Sequence, residues 1–408
     1  MSLPLSGAIW YPMPTDCLTE SPLLNWLRRR DILEPADCLP KDLQPWRLLL
    51  DEARRNLLLP LLASSIGHLR PQEQPPEDIR EYLRQSAACV AAKNMLLAAE
   101  TKTVLEAAKK EQVACIPLRG IALGEMLYQN WALRPTGDVD FLIRRGQTLE
   151  TRALLGKLGY YEVEPRAGFA DSFEYTLEFF KEDPSDIIAE PHWTIAYPPF
   201  VDRIDMEGVW RRTRVGTVLG VPCRVLENED LLIHLCLHWL HHQKDAPLLW
   251  LYEISRLLQS KTPRWPLLVS IIEPAGFAPL IAEVLSRVEN LFGPALPSGI
   301  LESLKNAQMH PAEARTVALL TQQPQVRGRE RLALWMSLPG IKAKTRYALG
   351  FLFPSAAFIR EQYGVRGWRQ IGWTYFRRTA GLIRDAVRGL WKLSRQRISN
   401  GNSKRRLF

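Results

Sequence analysis

Apolar positions recur at helical spacing early in the chain. Trp46, Leu49, Leu50, Ala53, Leu57, Leu58, Leu61 and Leu62 predict one or two packed helices over residues 43–69. Prolines break the pattern at 71–76, and a longer helix is expected over 77–111, with Leu83, Cys89, Val90, Met95, Leu96, Val104 and Leu105 on its apolar side. Residues 1–40 are proline-rich and irregular, so the first third reads as a helical layer.

At Gln112 the texture changes. Residues 113–118 form a short apolar run of strand type, and Arg119-Gly120 opens a helix carrying Ile121, Leu123, Met126, Leu127 and Tyr128 that ends near Trp131. The turn Arg134-Pro135-Thr136-Gly137 then leads abruptly into a strand at Asp138-Val139-Asp140-Phe141-Leu142-Ile143. A helix follows over 148–158 and stops at Gly159, where glycine suits a left-handed cap. Strands are expected at 160–163, 173–180 and 186–193, which gives the order β-α-β-α-β-β-β for a small mixed α/β unit at 112–196. A strand pair is expected within 211–225.

From 227 to 258 the pattern is strongly helical, with Leu231, Leu232, Leu235, Leu240, Leu248, Leu251, Ile254 and Leu257 in the buried stripes, and more helices are expected to about 320. A Gln-rich basic link at 321–331 leads to a last amphipathic helix with Leu382, Ile383, Ala386, Val387, Leu390 and Leu393 on one face and Arg384, Arg388, Lys392 and Arg395 on the other. The expected class is therefore α+β, a small mixed-sheet domain embedded in N- and C-terminal helical layers. The expected division is 1–111, 112–226, 227–320 and a basic 321–408.

Composition adds few constraints. With 408 residues, 46% hydrophobic and 24% charged, the chain reads as globular, with two domains or one domain with appendages. No apolar run reaches the ~18–20 residues that span a bilayer, and the start lacks a basic region followed by an apolar core, so a soluble cytoplasmic protein is expected. Cys17, Cys38, Cys89, Cys115, Cys223 and Cys236 are scattered without a Cys-x-x-Cys, which argues for reduced thiols. The net charge of +9 resides in the tail: residues 341–408 hold 16 Lys or Arg against Glu361 and Asp385, and the rest of the chain is net acidic. Trp368, Trp373, Tyr375, Phe376 and Trp391 stand among those arginines. That mixture suits peripheral contact of residues 363–398 with an anionic membrane, or less readily a nucleic-acid backbone, or a helix packed on the body with a solvated basic face.

The candidate chemistry lies in the middle. On a strand, Asp138 and Asp140 share a face while Val139 points into the core, and such a pair suits a divalent cation with hard oxygen ligands. A strand that turns at Gly120 into a helix start presents backbone N–H groups to phosphate, and Arg119 adds positive charge. Ala189-Glu190-Pro191-His192-Trp193 places Glu190 and His192 on one strand face. Glu190 is a candidate third ligand or general base, and His192 orients a carboxylate, contacts substrate or packs. Arg134 clamps phosphate or pins its turn. His234 and His238 have the i, i+4 spacing that chelates zinc, but no His-Glu-x-x-His glutamate or third ligand accompanies them, so packing or a cleft lining is expected. His241 and His242 extend that cluster.

The segments Leu118-Arg119-Gly120, Arg134 to Ile143 and Ala189 to Trp193, taken in that order, resemble the bacterial family of uncharacterised nucleotidyltransferases within the DNA polymerase β-like superfamily. The resemblance continues through Glu229 to His238 and Trp250 to Ile254 and into the N-terminal helices. Arg119 stands where that family usually has lysine, and Ile121 follows Gly120 where the wider superfamily has serine. The resemblance implies metal at Asp138, Asp140 and Glu190, phosphate at Arg119-Gly120, Mg2+ or Mn2+ as cofactor, and an NTP as donor for transfer to an unidentified acceptor. The alternative is an inactive nucleotide-binding or scaffold protein with a membrane-contacting tail. A nucleotide-sugar glycosyltransferase using the same Asp-x-Asp is disfavoured, because a helical layer and not a large nucleotide-binding sheet precedes the motif.

Overall fold

The structure, a computed structural model, describes residues 21–29, 39–40, 43–163, 168–182, 186–198, 200–242, 246–293, 296–307, 334–336, 338–365, 367–381 and 384. The 321–331 link and the expected amphipathic face from Leu382 to Leu393, apart from Arg384, lie outside them. The chain divides into two compact units. One comprises 1–161, 180–196 and 202–308; the other comprises 162–179, 197–201 and 309–408. No described helix is long and apolar enough to cross a membrane.

The first unit opens with helices α1 (Pro22–Arg29), α2 (Leu43–Arg55), α3 (Leu59–Ile66) and α4 (Glu77–Lys110). Leu83, Val104 and Leu105 of α4 are buried as expected, but Cys89, Met95 and Leu96 are exposed. The buried stripe is finished instead by Asn94, Leu97, Ala98, Thr101 and Ala108, which keep the helical period with smaller or polar side chains. Asn94 has a specific task there: its Nδ2 donates to the carbonyls of Trp131 at 2.8 Å and of Arg134 at 2.7 Å, fixing the turn before the Asp-x-Asp strand.

Next come β1 (Cys115–Pro117), α5 (Gly120–Tyr128), β2 (Val139–Ile143), α6 (Thr148–Lys157), β3 (Tyr161–Glu162), α7 (Phe169–Phe173), β4 (Phe179–Lys181) and β5 (Ile187–His192). The strands form one mixed sheet in the order β1-β2-β5-β4-β3, with β1 antiparallel and β5 parallel to β2. β2 is buried at all five positions, as a central strand covered on both faces must be. Its register with β5 pairs Asp140 with Glu190 and Leu142 with His192. The strand expected at 173–180 is shorter than its pattern. Phe169 and Phe173, four apart, instead close one turn of helix α7, and their rings stand 5.1 Å apart. Only 179–181 join the sheet.

Helix α8 (Met206–Arg212) precedes the hairpin β6 (Arg214–Val218) and β7 (Val221–Val225), and the helices α9 (Asn228–His242), α10 (Leu248–Ser260), α11 (Trp265–Ile272), α12 (Ala278–Phe292) and α13 (Ile300–Asn306) follow. Helix α9 is buried on every side from Glu229 to Leu240. The two acids in its first turn are neutralised by arginines: Arg264 donates to Glu229 at 3.0 Å and Arg212 to Asp230 at 2.7 Å. In the second unit, α14 (Gly340–Leu352) carries Tyr347 into a cluster with Phe169, Phe173 and Leu334. The helix over 368–381 exposes Trp368, Trp373 and Phe376, while the Tyr375 hydroxyl donates to the Pro354 carbonyl.

Asn94→Ala takes one donor from each of two carbonyls, leaving that of Arg134 with the Thr136 hydroxyl and that of Trp131 with the Arg134 N–H, a loss of about 0.5–1.5 kcal/mol in urea unfolding. An unchanged unfolding midpoint contradicts this role.

Candidate functional site

The site forms where β1 runs into α5 and where β2 and β5 begin and end side by side. Leu118 still pairs with the sheet, its N–H donating to the Asp140 carbonyl at 3.0 Å. The chain then reverses through Arg119 at φ 25° and Gly120 at φ 41°. A side chain on Gly120 would place its Cβ 3.2 Å from the Thr136 methyl, so the glycine serves both the turn and the close approach. One helical turn on, a Cβ on Gly124 would lie 3.0 Å from the Trp131 Cα; its absence lets the 131–134 turn pack against α5.

Asp140 is the hub. It is almost fully buried, its Oδ2 accepts from Arg119 Nη2 at 2.7 Å, and its Oδ1 faces His192 Nε2 at 3.1 Å. His192 Nε2 also stands 3.7 Å from Glu190 Oε2. Each of Asp140, Glu190 and His192 offers a ligand atom within 4.8 Å of the other two. Two carboxylates and an imidazole converging in this way fit a divalent cation. Glu190 is the member that reaches solvent, with a quarter of its side chain exposed.

Asp138 sits half-buried just ahead of β2. Burial and the Asp140 carboxylate beside it push its carboxyl up to about 6, against the pull of Arg119 and Arg134. For Asp140, burial acts in the same direction but is outweighed by Arg119 and by the hydrogen bond and charge of His192, so it is held below the usual carboxylate range. The two aspartates of one motif are thus driven apart: both are ionised near neutral pH, and as pH falls Asp138 takes up its proton first while Asp140 keeps its charge.

Arg119 is held from its other side by α9. Its Nη1 donates to a ring nitrogen of His238 at 2.6 Å, which requires a neutral imidazole as acceptor. Burial and then the Arg119 charge lower His238 well below the ordinary histidine value, and the same two causes bring His234 to about 3 and His242 to about 4. His234 Nδ1 donates to the Ile195 carbonyl at 3.0 Å, just past β5. His234 and His238 therefore form a buried neutral wall behind Arg119, with His242 at its exposed edge.

Arg134, at 5% exposure, gives Nε to Glu253 Oε1 at 2.7 Å and Nη2 to Oε2 at 3.2 Å. This bidentate pair ties the turn to α10. Three residues earlier on the same helix face, Trp250 lies 4.2 Å from the His238 ring. The structure thus gathers Arg119, Gly120, Asp138, Asp140, Glu190 and His192 around one point and directs the Arg134 guanidinium into the helical support. Gly124, His238 and Glu253 belong to the same assembly. His238 stood in the i, i+4 histidine pattern and Glu253 within the Trp250 to Ile254 segment, but neither pattern named its arginine partner, and Gly124 carried no signal of its own.

Residues 42–293 match the family described as "Uncharacterised nucleotidyltransferase". The chain belongs to this uncharacterised nucleotidyltransferase family. The match takes in the sheet, the turn and helices α9 and α10, so the whole site lies within the family region. Among solved structures, an antigenic nucleotidyltransferase-like protein from Paracoccidioides brasiliensis is similar over 52% of this chain and 93% of its own, with 12% identity and a TM-score of 0.30. That distant likeness carries none of the argument. Among the curated proteins compared, none matches.

Glu253→Ala, which strands the Arg134 charge in the interior, is expected to cost about 3–5 kcal/mol, whereas Arg134→Met with Glu253→Leu restores most of the loss. Urea unfolding of the three variants checks this, and equal losses in single and double variants contradict it.

Proposed function

We propose that this nucleotidyltransferase family member transfers a nucleoside monophosphate from an NTP to an acceptor, with Asp138, Asp140 and Glu190 at the metal site. The observation that carries this is the register of β2 with β5, which sets Glu190 beside Asp140 at the mouth of the Arg119-Gly120 turn. A divalent cation, Mg2+ or Mn2+, would neutralise triphosphate charge there. The chain's own residues do the positioning that phosphoryl chemistry mostly requires. The start of α5 at Gly120 and the Arg119 charge receive phosphate oxygens. His192, neutral because burial outweighs its attraction to Asp140, offers a ring nitrogen beside the Asp140 and Glu190 carboxylates as a further ligand. The acceptor's oxygen forms a bond to the α-phosphorus, a hydroxyl acceptor giving its proton to the Glu190 carboxylate, the bond to the β-phosphate bridge breaks, and pyrophosphate leaves. Glu190 faces solvent, where the acceptor arrives.

Incubation with α-labelled NTPs, divalent cation and cell-derived acceptors is expected to label an acceptor and release pyrophosphate. Asp138→Asn with Asp140→Asn is expected to abolish both, by at least about 100-fold. Tight nucleotide binding with no transfer to any acceptor favours the alternative of an inactive nucleotide-binding scaffold. Release of a nucleoside diphosphate instead of pyrophosphate points to sugar transfer.

The exposed Trp368, Trp373 and Phe376, with Arg360 packed 5.0 Å over the Trp368 ring, favour contact of the C-terminal region with an anionic membrane surface. Co-sedimentation with phosphatidylserine vesicles is expected, and Trp368→Ala with Trp373→Ala and Phe376→Ala is expected to remove most of it. Equal binding by the triple variant contradicts the contact.

A further inference from the structure

Asp140 has two carboxylate oxygens, and the structure commits them to different partners. Oδ2 takes the Arg119 ion pair at 2.7 Å, while Oδ1 faces His192 on the Glu190 side. Two cations about 3.5–4 Å apart, the arrangement common in phosphoryl-transfer sites, require a carboxylate that gives one oxygen to each. Asp140 lies between the other acids and is placed for that task, but one of its oxygens already holds a positive charge.

We propose that the Arg119 guanidinium occupies the place of one cation of such a pair, so that the unliganded protein takes a single divalent cation on Asp140 Oδ1, Glu190 and His192. The inference rests on the nucleotidyltransferase reading only for its expectation of a metal; the ligand geometry is this chain's own. Arg119 is held firmly in that place. It is 9% exposed, its second amino group is bound to His238, and its backbone sits at a positive φ that few side chains adopt. Charge agrees with a count of one. Arg134 is cancelled by Glu253, and Asp138, Asp140 and Glu190 against Arg119 leave two negative charges, which one divalent ion balances. His192 also sets the kind of ion. An imidazole with two carboxylates suits Mn2+ and later first-row ions better than Mg2+, which prefers oxygen alone.

The full chain titrated with Mn2+, without nucleotide, tests this by the electron paramagnetic resonance of the unbound ion for the count and by spin-echo envelope modulation of the bound ion for its ligands, with circular dichroism to confirm folding. One Mn2+ per chain is expected, with nitrogen hyperfine coupling from His192. His192→Gln removes that coupling and weakens binding by about 10-fold or more. Arg119→Gln, which frees Asp140 Oδ2, raises the count to two, while Arg119→Lys, which keeps the charge, leaves it at one. Two ions on the unsubstituted protein, no ion, a count that stays at one in folded Arg119→Gln, or an unchanged nitrogen signal in His192→Gln overturns the proposal. If Arg119→Gln does not fold, the count on the unsubstituted protein and the Arg119→Lys and His192→Gln arms still decide it. The outcome is separable from that of the transfer reaction. A protein that binds one ion and transfers nothing keeps this inference and loses the proposed function, and one that binds two and transfers does the reverse.

Discussion

The buried contact between Arg119 and Asp140 is the constraint on which the rest of the site depends. A carboxylate this deep needs a positive partner, because desolvation alone would otherwise protonate it. Arg119 supplies the charge but must itself be held, and each element around it contributes. The strained turn aims its side chain, α9 receives one amino group on neutral His238, and Trp250 of α10 backs that histidine. The helical region following the sheet is therefore part of the site's electrostatics and not an appendage to it.

A second buried pair, Arg134 with Glu253, performs the mechanical half. Asn94 of α4 and Glu253 of α10 grip the same short turn from the helices on either side of it in sequence, and that turn delivers Asp138 and Asp140 at a fixed height on β2. Breaking either grip loosens the aspartates without touching them. This explains why so small a sheet is accompanied by so much helix: five strands, three of them only two or three residues long, do not fix a charged site without outside support.

How much was legible in the sequence follows from the range of each interaction. The strand period put Asp138 with Asp140 and Glu190 with His192 on shared faces, and the parallel register joins the two pairs. Helix α4 was legible in extent but not in facing, because Met95 and Leu96 are large and apolar yet exposed, while Asn94 is buried for its hydrogen bonds. The 173–180 segment reads as a strand because its alternation outlasts the pairing it finds. His238 and Glu253 stood out in the sequence, but their pairing with Arg119 and Arg134 did not: each lies 119 residues from its arginine, and contacts at that separation have no period to betray them. The tail's basic amphipathic pattern from Leu382 onward lies outside the described residues.

The chain belongs to an uncharacterised nucleotidyltransferase family, and its own residues give the site a particular form, with an arginine at the turn before α5 and a histidine among the carboxylates. The most direct measurement is a crystal structure with Mn2+ and an NTP analogue that resists cleavage at the α–β bridge. The account predicts an anomalous peak among Asp140, Glu190 and His192, with the α-phosphate beside it and the phosphate chain running to Gly120. A nucleotide bound elsewhere, with no metal between those three side chains, would contradict it.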